Sequence, residues 1–255
     1  MDILAIDIQM SHNYLITLSK DLTIRIWDAA KREQVYEFSY PEQDQCLTIS
    51  AHPTRLFFAG GFQSGALRIF DIEKMCISEE LQFYLNPLKL VKYSLDGSML
   101  IGVDHQSIYT IFDPTRNYAV IKQIEVEFPS EYQHIAFSPD GGSFAITGDY
   151  GNYVDIYDIQ SMNKMSTIRC INCFALFYKF TNSCQELFIG TSNCHLRKHS
   201  IQTGKLLKEL PNVHRNSFNS FDFTSNSKFI VTVGDDCLVK VWDYEMRIVA
   251  IQGSC

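Results

Sequence analysis

The stretch GDDCLVKVWD at residues 234–243 decides the fold, because a polar turn there leads into a strand-forming segment that ends in Trp242-Asp243. An aromatic residue followed by aspartate recurs upstream at almost constant spacing. The copies are Trp27-Asp28, Phe70-Asp71, Phe112-Asp113 and Tyr157-Asp158, with the degenerate pair His199-Ser200 in the remaining gap. Successive copies are 43, 42, 45, 42 and 43 residues apart. The chain is therefore built from an internal repeat of about 40–45 residues.

Between these pairs, apolar and polar residues alternate and short polar turns interrupt them. Ser138-Pro139-Asp140-Gly141, for example, lies between an alternating segment and a compact apolar one. Alternation with a turn about every 8–12 residues predicts an all-β chain, and the repeat length predicts four-stranded propeller blades. We predict a single β-propeller domain over residues 1–255 with about six blades. The predicted blades are residues 2–40, 44–83, 87–128, 131–170, 173–210 and 216–252.

Composition and charge restrict the classes of partner. The chain has 255 residues, of which 46% are hydrophobic, and a formal net charge of −7. An acidic protein is a poor candidate for binding nucleic acid or anionic membranes, which calls for a basic surface. No apolar run approaches the roughly 18–20 residues of a membrane span, and the first residues do not form a signal peptide. We expect a cytoplasmic protein whose 8 cysteines are reduced thiols.

The segments FSPDG (137–141) and GDDCLVKVWD (234–243) resemble WD40 repeats, and the periodic resemblance covers the whole chain. In that family a His, a Ser or Thr, an Asp and a Trp can form a hydrogen-bonded relay that pins a blade. The resemblance implies a full set in the last blade. Its members would be His214, Thr232, Asp236 and Trp242. The first blade is expected to keep only Asp21 and Trp27, and the intermediate blades to rely on apolar packing.

Less generic stretches, such as residues 33–55 and 61–73, resemble a family of large WD-repeat proteins of the centriole and cilium. That resemblance implies a role in centriole structure and cilium assembly, at the cytoskeleton, centriole, centrosome or cilium base. It implies centriolar or ciliary protein partners, some of them associated with microtubules. Members carry a further amino-terminal domain, so we expect this chain to be a fragment or short form. We also expect an incompletely closed ring whose bare strand edges favour oligomers or poor solubility.

Two groups of side chains could suggest chemistry. The repeated aspartates could form a catalytic or calcium-binding ring, but one per blade keeps them apart, and we interpret them as caps of their own turns. They are Asp28, Asp71, Asp113, Asp158 and Asp243. Cys170-Ile-Asn-Cys173, with Cys184 and Cys194-His195, has metal-like spacing. The repeat phase prevents four of these ligands from converging, although three on one face stay possible, and we favour packed thiols without a metal.

No catalytic motif, phosphate loop or paired-histidine metal site emerges from the sequence. We therefore predict a non-enzymatic protein-interaction scaffold with no cofactor and no small-molecule substrate. A generic WD40 adaptor or hub, such as a ubiquitin-ligase substrate receptor, is the alternative, because the same fold serves both functions.

Overall fold

The computed structural model describes residues 2–9, 11–40 and 44–253. The chain divides between Pro129 and Ser130 into two compact units. Each unit contains three antiparallel sheets, and each sheet has four strands that follow one another in chain order. The prediction of an all-β fold with six four-stranded blades is thus confirmed, whereas the organisation as one domain stays a prediction. We number the sheets one to six in chain order.

The first unit holds sheets one to three. Sheet one comprises β1 (Ile3–Gln9), β2 (Tyr14–Ser19), β3 (Thr23–Asp28) and β4 (Glu33–Ser39). Sheet two comprises β5 (Cys46–Ala51), β6 (Phe57–Phe62), β7 (Leu67–Asp71) and β8 (Cys76–Leu81). Sheet three comprises β9 (Leu88–Tyr93), β10 (Leu100–Asp104), β11 (Ile108–Asp113) and β12 (Ala119–Glu125), with a 3-10 turn at Pro114–Arg116.

The second unit holds sheets four to six. Sheet four comprises β13 (Ile135–Phe137), β14 (Ser143–Thr147), β15 (Tyr153–Asp158) and β16 (Lys164–Arg169), with a 3-10 turn at Asp149–Gly151. Sheet five comprises β17 (Ala175–Phe180), β18 (Glu186–Thr191), β19 (Leu196–Ser200) and β20 (Leu206–Leu210). Sheet six comprises β21 (Phe218–Phe223), β22 (Phe229–Gly234), β23 (Leu238–Asp243) and β24 (Ile248–Gly253).

A β-bulge recurs at the same place in every sheet. The register between the third and fourth strands shifts just before the repeated aromatic residue, as between Val241 and Trp242 or between Ile69 and Phe70. The other four sheets carry the same shift. A bulge increases the local twist and re-aims the side chain beside it. The repeated dipeptide therefore marks a fixed irregularity of the sheet as well as a strand end.

The cores of both units depend on these re-aimed aromatic rings. Phe70 is fully buried and stacks on Phe58 of the neighbouring strand with ring centroids 4.4 Å apart. Tyr157 stacks in the same way on Phe144, at 5.2 Å. Burying one such side chain contributes about 1.5–3 kcal/mol. Stacking between the second and third strands therefore ties the middle of a sheet together.

One face of the first strand carries an exposed apolar stripe. Ala5 and Asp7 point toward sheet two, where Ala5 joins the buried cluster and Asp7 accepts a hydrogen bond from the Ala51 N–H. The alternate residues point the opposite way and stay exposed. They are Leu4 (43%), Ile6 (57%) and Ile8 (51%). Among the described strands, β1 pairs only with β2, so an open edge lies beside this stripe.

We expect the isolated protein to self-associate, because an apolar edge strand offers both unpaired backbone groups and apolar surface. The double substitution I6K/I8K places two charges on the stripe and should shift the population toward monomer. Size-exclusion chromatography with light scattering measures this shift at matched concentrations. L85K, at a loop residue that is 98% exposed, is the control and should leave the mass unchanged. A monomeric unsubstituted protein at all concentrations contradicts the expectation.

Candidate functional site

The four residues singled out in the last repeat lie in one chain of hydrogen bonds in sheet six. The Trp242 Nε1–H donates to Thr232 Oγ1 at 3.0 Å, and Thr232 Oγ1 lies 2.9 Å from His214 Nε2. His214 Nδ1 lies 2.7 Å from the Asp236 carboxylate. When Nδ1–H donates to Asp236, Nε2 accepts the Thr232 hydroxyl proton, so every buried polar atom in the chain has a partner.

Different elements bring these groups together. Thr232 lies on β22, Trp242 at the bulge of β23, Asp236 in the turn between those strands, and His214 in the loop that follows β20. Gly234 is required beside them, because a Cβ there would lie 2.4 Å from the Ser217 carbonyl oxygen and 2.5 Å from the imidazole. Burial opposes ionisation of Asp236, but hydrogen bonds from His214 and the Arg215 N–H hold its pKa below the ordinary value.

Sheet one contains a shorter version of this arrangement. The Trp27 Nε1–H donates to Thr17 Oγ1 at 2.9 Å. Asp21 does not reach them and instead accepts hydrogen bonds from Thr23 and Arg25. The hydrogen bond from the Thr23 hydroxyl is the main reason why the pKa of Asp21 falls to about 2. The expectation that this blade keeps only Asp21 and Trp27 is corrected here, because Thr17 takes part as well.

A spacing signal could have found Thr17. It lies ten residues before Trp27, as Thr232 lies ten residues before Trp242. In sheet two that position is Gly60, where a Cβ would come within 3.1 Å of the Phe70 ring. A phenyl ring has no N–H to satisfy, so glycine and close packing replace the threonine hydroxyl there.

The repeated aspartates cap the turns that follow their own strands. Asp28 accepts from the N–H groups of Ala30 and Lys31, and Asp71 does so from those of Glu73 and Lys74. The remaining three accept from backbone N–H groups two to four residues ahead, at Thr115, Ser161 and Arg247. Each carboxylate is thus engaged within its own turn.

The cysteines of the predicted metal-like set lie in different surroundings. Cys170 and Cys173 lie at the two ends of a turn between β16 and β17, whereas Cys194 Sγ lies 3.2 Å from the Asn216 carbonyl oxygen and Cys184 Sγ lies 3.9 Å from the Asn182 carbonyl oxygen. Within residues 2–9, 11–40 and 44–253, no three His, Cys, Asp or Glu side chains are grouped so that they could hold a metal ion. Cys255 lies outside the described residues.

In the part of the chain that the structure describes, no helix is long and apolar enough to cross a membrane.

The first unit has an open cleft of about 260 Å³, which we call the unit-one cleft. It lies where the β5–β6 and β7–β8 turns meet the segment that follows β11. Charged and polar side chains of both signs line it, including His52, Arg55, Asp71, Lys74, Glu79 and Tyr118. Burial and the nearby Arg55 charge lower the pKa of His52 and favour the neutral ring, whose Nδ1 accepts from the Thr54 and Arg55 N–H groups. A shallow surface of mixed charge suits a protein segment better than an enclosed small molecule.

Six four-stranded sheets that end their third strands in an aromatic residue and a cap define the chain as a WD40-type β-propeller protein. Residues 7–252 match the family model described as WDR90/POC16, second beta-propeller, and the chain belongs to that family. The predicted membership of the WD40-repeat propeller proteins, with a resemblance to WD repeat-containing protein 90, is thereby confirmed.

Individual relatives agree with this assignment. The chain is 28% identical over 247 residues to WD repeat-containing protein 90 of Xenopus tropicalis, covering 91% of this chain and 13% of the relative. It is 26% identical over 256 residues to the Homo sapiens protein of the same name, covering 95% and 14%. Centriole proteome protein 16 of Chlamydomonas reinhardtii is 24% identical over 195 residues, covering 75% and 9%. The chain therefore spans only a small part of the relatives it matches.

The relay in sheet six generates a stability prediction. T232V removes the hydroxyl between Trp242 and His214, so two buried polar groups lose their partner. We expect the free energy of unfolding of the second unit to fall by about 2–4 kcal/mol. T17V is the matched control and should cost about 1–2 kcal/mol, because only the Trp27 N–H is left without its partner.

Urea unfolding followed by tryptophan fluorescence measures both effects. Trp27 and Trp242 are the only tryptophans and lie in different units, so W27F and W242F backgrounds let each unit be observed separately. Equal, small losses in the two variants would show that the relay does not pin sheet six.

Proposed function

We propose that the chain is a non-enzymatic protein-interaction scaffold that acts in centriole structure and cilium assembly. The observation that carries the proposal is the match of residues 7–252 to the WDR90/POC16 second beta-propeller, together with a relative named as a centriole proteome protein. Since the chain corresponds to about 13–14% of the WD repeat-containing protein 90 relatives, we propose that it supplies one binding module of a longer assembly protein.

The fold supports this role because it holds many turns in fixed positions. Each third strand ends in an aspartate or serine, and the five aspartates lock the backbone of the following turn. Rigid sheets that present short turns at their ends suit recognition of protein segments. Such recognition does not require catalysis.

The unit-one cleft is the surface that we propose for a partner. Arg55 and Glu79 give it opposite charges, and the Tyr118 hydroxyl lies 2.9 Å from that of Tyr93 within its wall. Complementary charge at such a rim favours a correctly oriented encounter. The proposed occupant is an extended segment of a centriolar or ciliary protein that carries both acidic and basic residues.

The proposed location is the cytoplasm, at the centriole, centrosome or cilium base. The acidic net charge argues against nucleic acid and against anionic membrane as partners. A ubiquitin-ligase substrate receptor is the alternative that shares the fold. The Trp-Asp-x-Arg motif that is frequent in such adaptors does not occur in Trp27-Asp28-Ala29-Ala30 or in Trp242-Asp243-Tyr244-Glu245.

Proximity labelling in ciliating cells tests the proposal, with this chain in its full-length context. We expect centriolar or ciliary proteins to be enriched, and the charge exchange R55E/E79K to remove a subset of them. K92E/E125K makes the same exchange at exposed residues outside the cleft and should leave the set unchanged. Enrichment of ubiquitin-ligase subunits without centriolar proteins supports the alternative, and equal effects of both exchanges exclude the cleft.

We further expect the 255-residue chain to bind microtubules only weakly, because tubulin is acidic and this chain also carries a net negative charge. Any binding should weaken further as salt rises and screens the remaining attractive contacts. Co-sedimentation with stabilised microtubules at low and physiological salt measures this. Tight binding at physiological salt contradicts the expectation and would assign lattice attachment to this part of the protein.

A further inference from the structure

Cys170 and Cys173 form a thiol pair on the turn that joins sheets four and five. The turn leaves β16 after Arg169 and enters β17 at Ala175, and Asn172 takes the left-handed conformation, with φ 58°. The end residues of a tight turn lie within about 7 Å of each other at their Cα atoms, close to the range that a disulfide spans. Cys170 and Cys173 are 2% and 5% exposed, and both belong to the same buried cluster.

An arginine–glutamate pair recurs in three sheets, and comparing its contacts shows which type of side chain takes the position of Cys173 in another sheet. In sheets one, two and five, an arginine on the third strand pairs with a glutamate twelve residues later on the fourth strand. The pairs are Arg25 with Glu37, Arg68 with Glu80 and Arg197 with Glu209, with N–O distances of 2.9, 3.1 and 2.7 Å. Each of these guanidinium groups has a second partner as well.

That second partner is a carboxylate in two sheets and a thiol in the third. Arg25 contacts Asp21 at 2.9 Å, and Arg68 contacts Asp44 at 2.7 Å. Arg197 Nη1 instead donates to Cys173 Sγ at 3.0 Å. Asp44 lies two residues before β5, and Cys173 lies two residues before β17. Cys173 therefore occupies the place where sheet two holds an anion against its arginine.

The surrounding groups stabilise the thiolate form of Cys173. The Cys170 thiol has the largest influence on the pKa of Cys173 and lowers it. Burial raises this pKa, but the charge and hydrogen bond of Arg197 lower it again, so it lies below its ordinary value. Cys173 in turn raises the pKa of Cys170. Glu209 is the opposing charge, and its contacts with His195 and Arg197 hold its pKa below the ordinary value. These surroundings therefore favour a thiolate at Cys173 and a protonated thiol at Cys170.

The turn that carries the two thiols borders an open cavity. Ile171 of the turn lines this cavity of about 320 Å³ together with Arg169, Arg197 and His199, among others. Its walls bring two guanidinium groups next to the thiol turn. The low exposure of Cys173 favours an oxidant about the size of water over a bulky disulfide. Buried, unpaired thiols elsewhere in a protein are usually inert, whereas thiolates in basic surroundings react.

We propose that Cys170 and Cys173 are a peroxide-reactive dithiol site, in which Cys173 is the attacking thiolate and Cys170 the resolving thiol. The Cys173 sulfur attacks one oxygen of hydrogen peroxide, an S–O bond forms, the O–O bond breaks, and the hydroxide released takes up a proton. Cys170 then loses its proton and attacks the Cys173 sulfur, an S–S bond forms, and the S–O bond breaks to release water. Two thiols are oxidised by two electrons and the peroxide is reduced to two waters. The site is independent of the proposed scaffold function.

Peptide mapping by mass spectrometry after treatment of the reduced protein with hydrogen peroxide tests the site. We expect loss of two thiols per chain and a Cys170–Cys173 disulfide ahead of oxidation at Cys76 and Cys237, which are both exposed. C170S should trap a sulfenic acid on Cys173 that dimedone captures, and C173S should leave Cys170 unmodified. Earlier oxidation of Cys76 or Cys237, or no adduct on Cys173 in C170S, would overturn the proposal.

Two further variants separate reactivity from folding. R197M should slow disulfide formation about tenfold, because the thiolate loses its cation. R68M removes an equivalent arginine–glutamate pair in sheet two and should leave the rate unchanged. C173D rebuilds the Asp44–Arg68 arrangement, so it should keep the melting temperature and leave the Cys170 thiol unoxidised by peroxide. Equal rates in R197M and R68M refute the role of Arg197 and with it the proposed site.

Discussion

The structure depends on the burial of one large side chain per repeat at a bulge between the third and fourth strands. The bulge turns that side chain into the space between the sheets, and the next residue caps the turn with its own carboxylate or hydroxyl. The buried side chain and the capping residue are adjacent in the sequence, so the packing of a sheet and the shape of its surface turn are coupled. A change at the buried side chain therefore also disturbs the surface turn that is available to a partner.

The same position is occupied in two physically different ways. Trp27 and Trp242 bring an indole N–H into the protein, and each needs a threonine hydroxyl at 2.9 or 3.0 Å. Phe70 brings no polar atom and stacks on Phe58, beside a glycine that lets the rings approach. An unsatisfied buried N–H costs about 1–3 kcal/mol, so the threonine and the tryptophan have to change together. Intermediate sheets that lack the relay are therefore stabilised by a different kind of contact and are not weakened copies of the sheets that contain tryptophan.

The fold could be predicted from the sequence because its signals are local and periodic. The spacing of the aromatic–aspartate pairs and the alternation between them fix the number of sheets, and the structure has six sheets of four strands each. Side chains that meet across a sheet were harder to foresee. Thr17 on β2 is ten residues from Trp27 on β3, and Cys173 is 24 residues from Arg197. Such contacts depend on register and on the bulge. The ten-residue offset shared with Thr232 and Trp242 could have indicated Thr17.

The arginine–glutamate pairs show how a repeat can gain a new property without a new fold. The cross-strand pair itself is retained in sheets one, two and five, since it lies on one face at directly opposed positions. Only the third member varies, and it comes from a turn, where a substitution leaves the strand pairing intact. A thiol in place of the carboxylate can still carry a negative charge next to the guanidinium when it is deprotonated. It also adds a group that can exchange electrons, and the neighbouring turn residue Cys170 supplies the second thiol that a reversible oxidation requires.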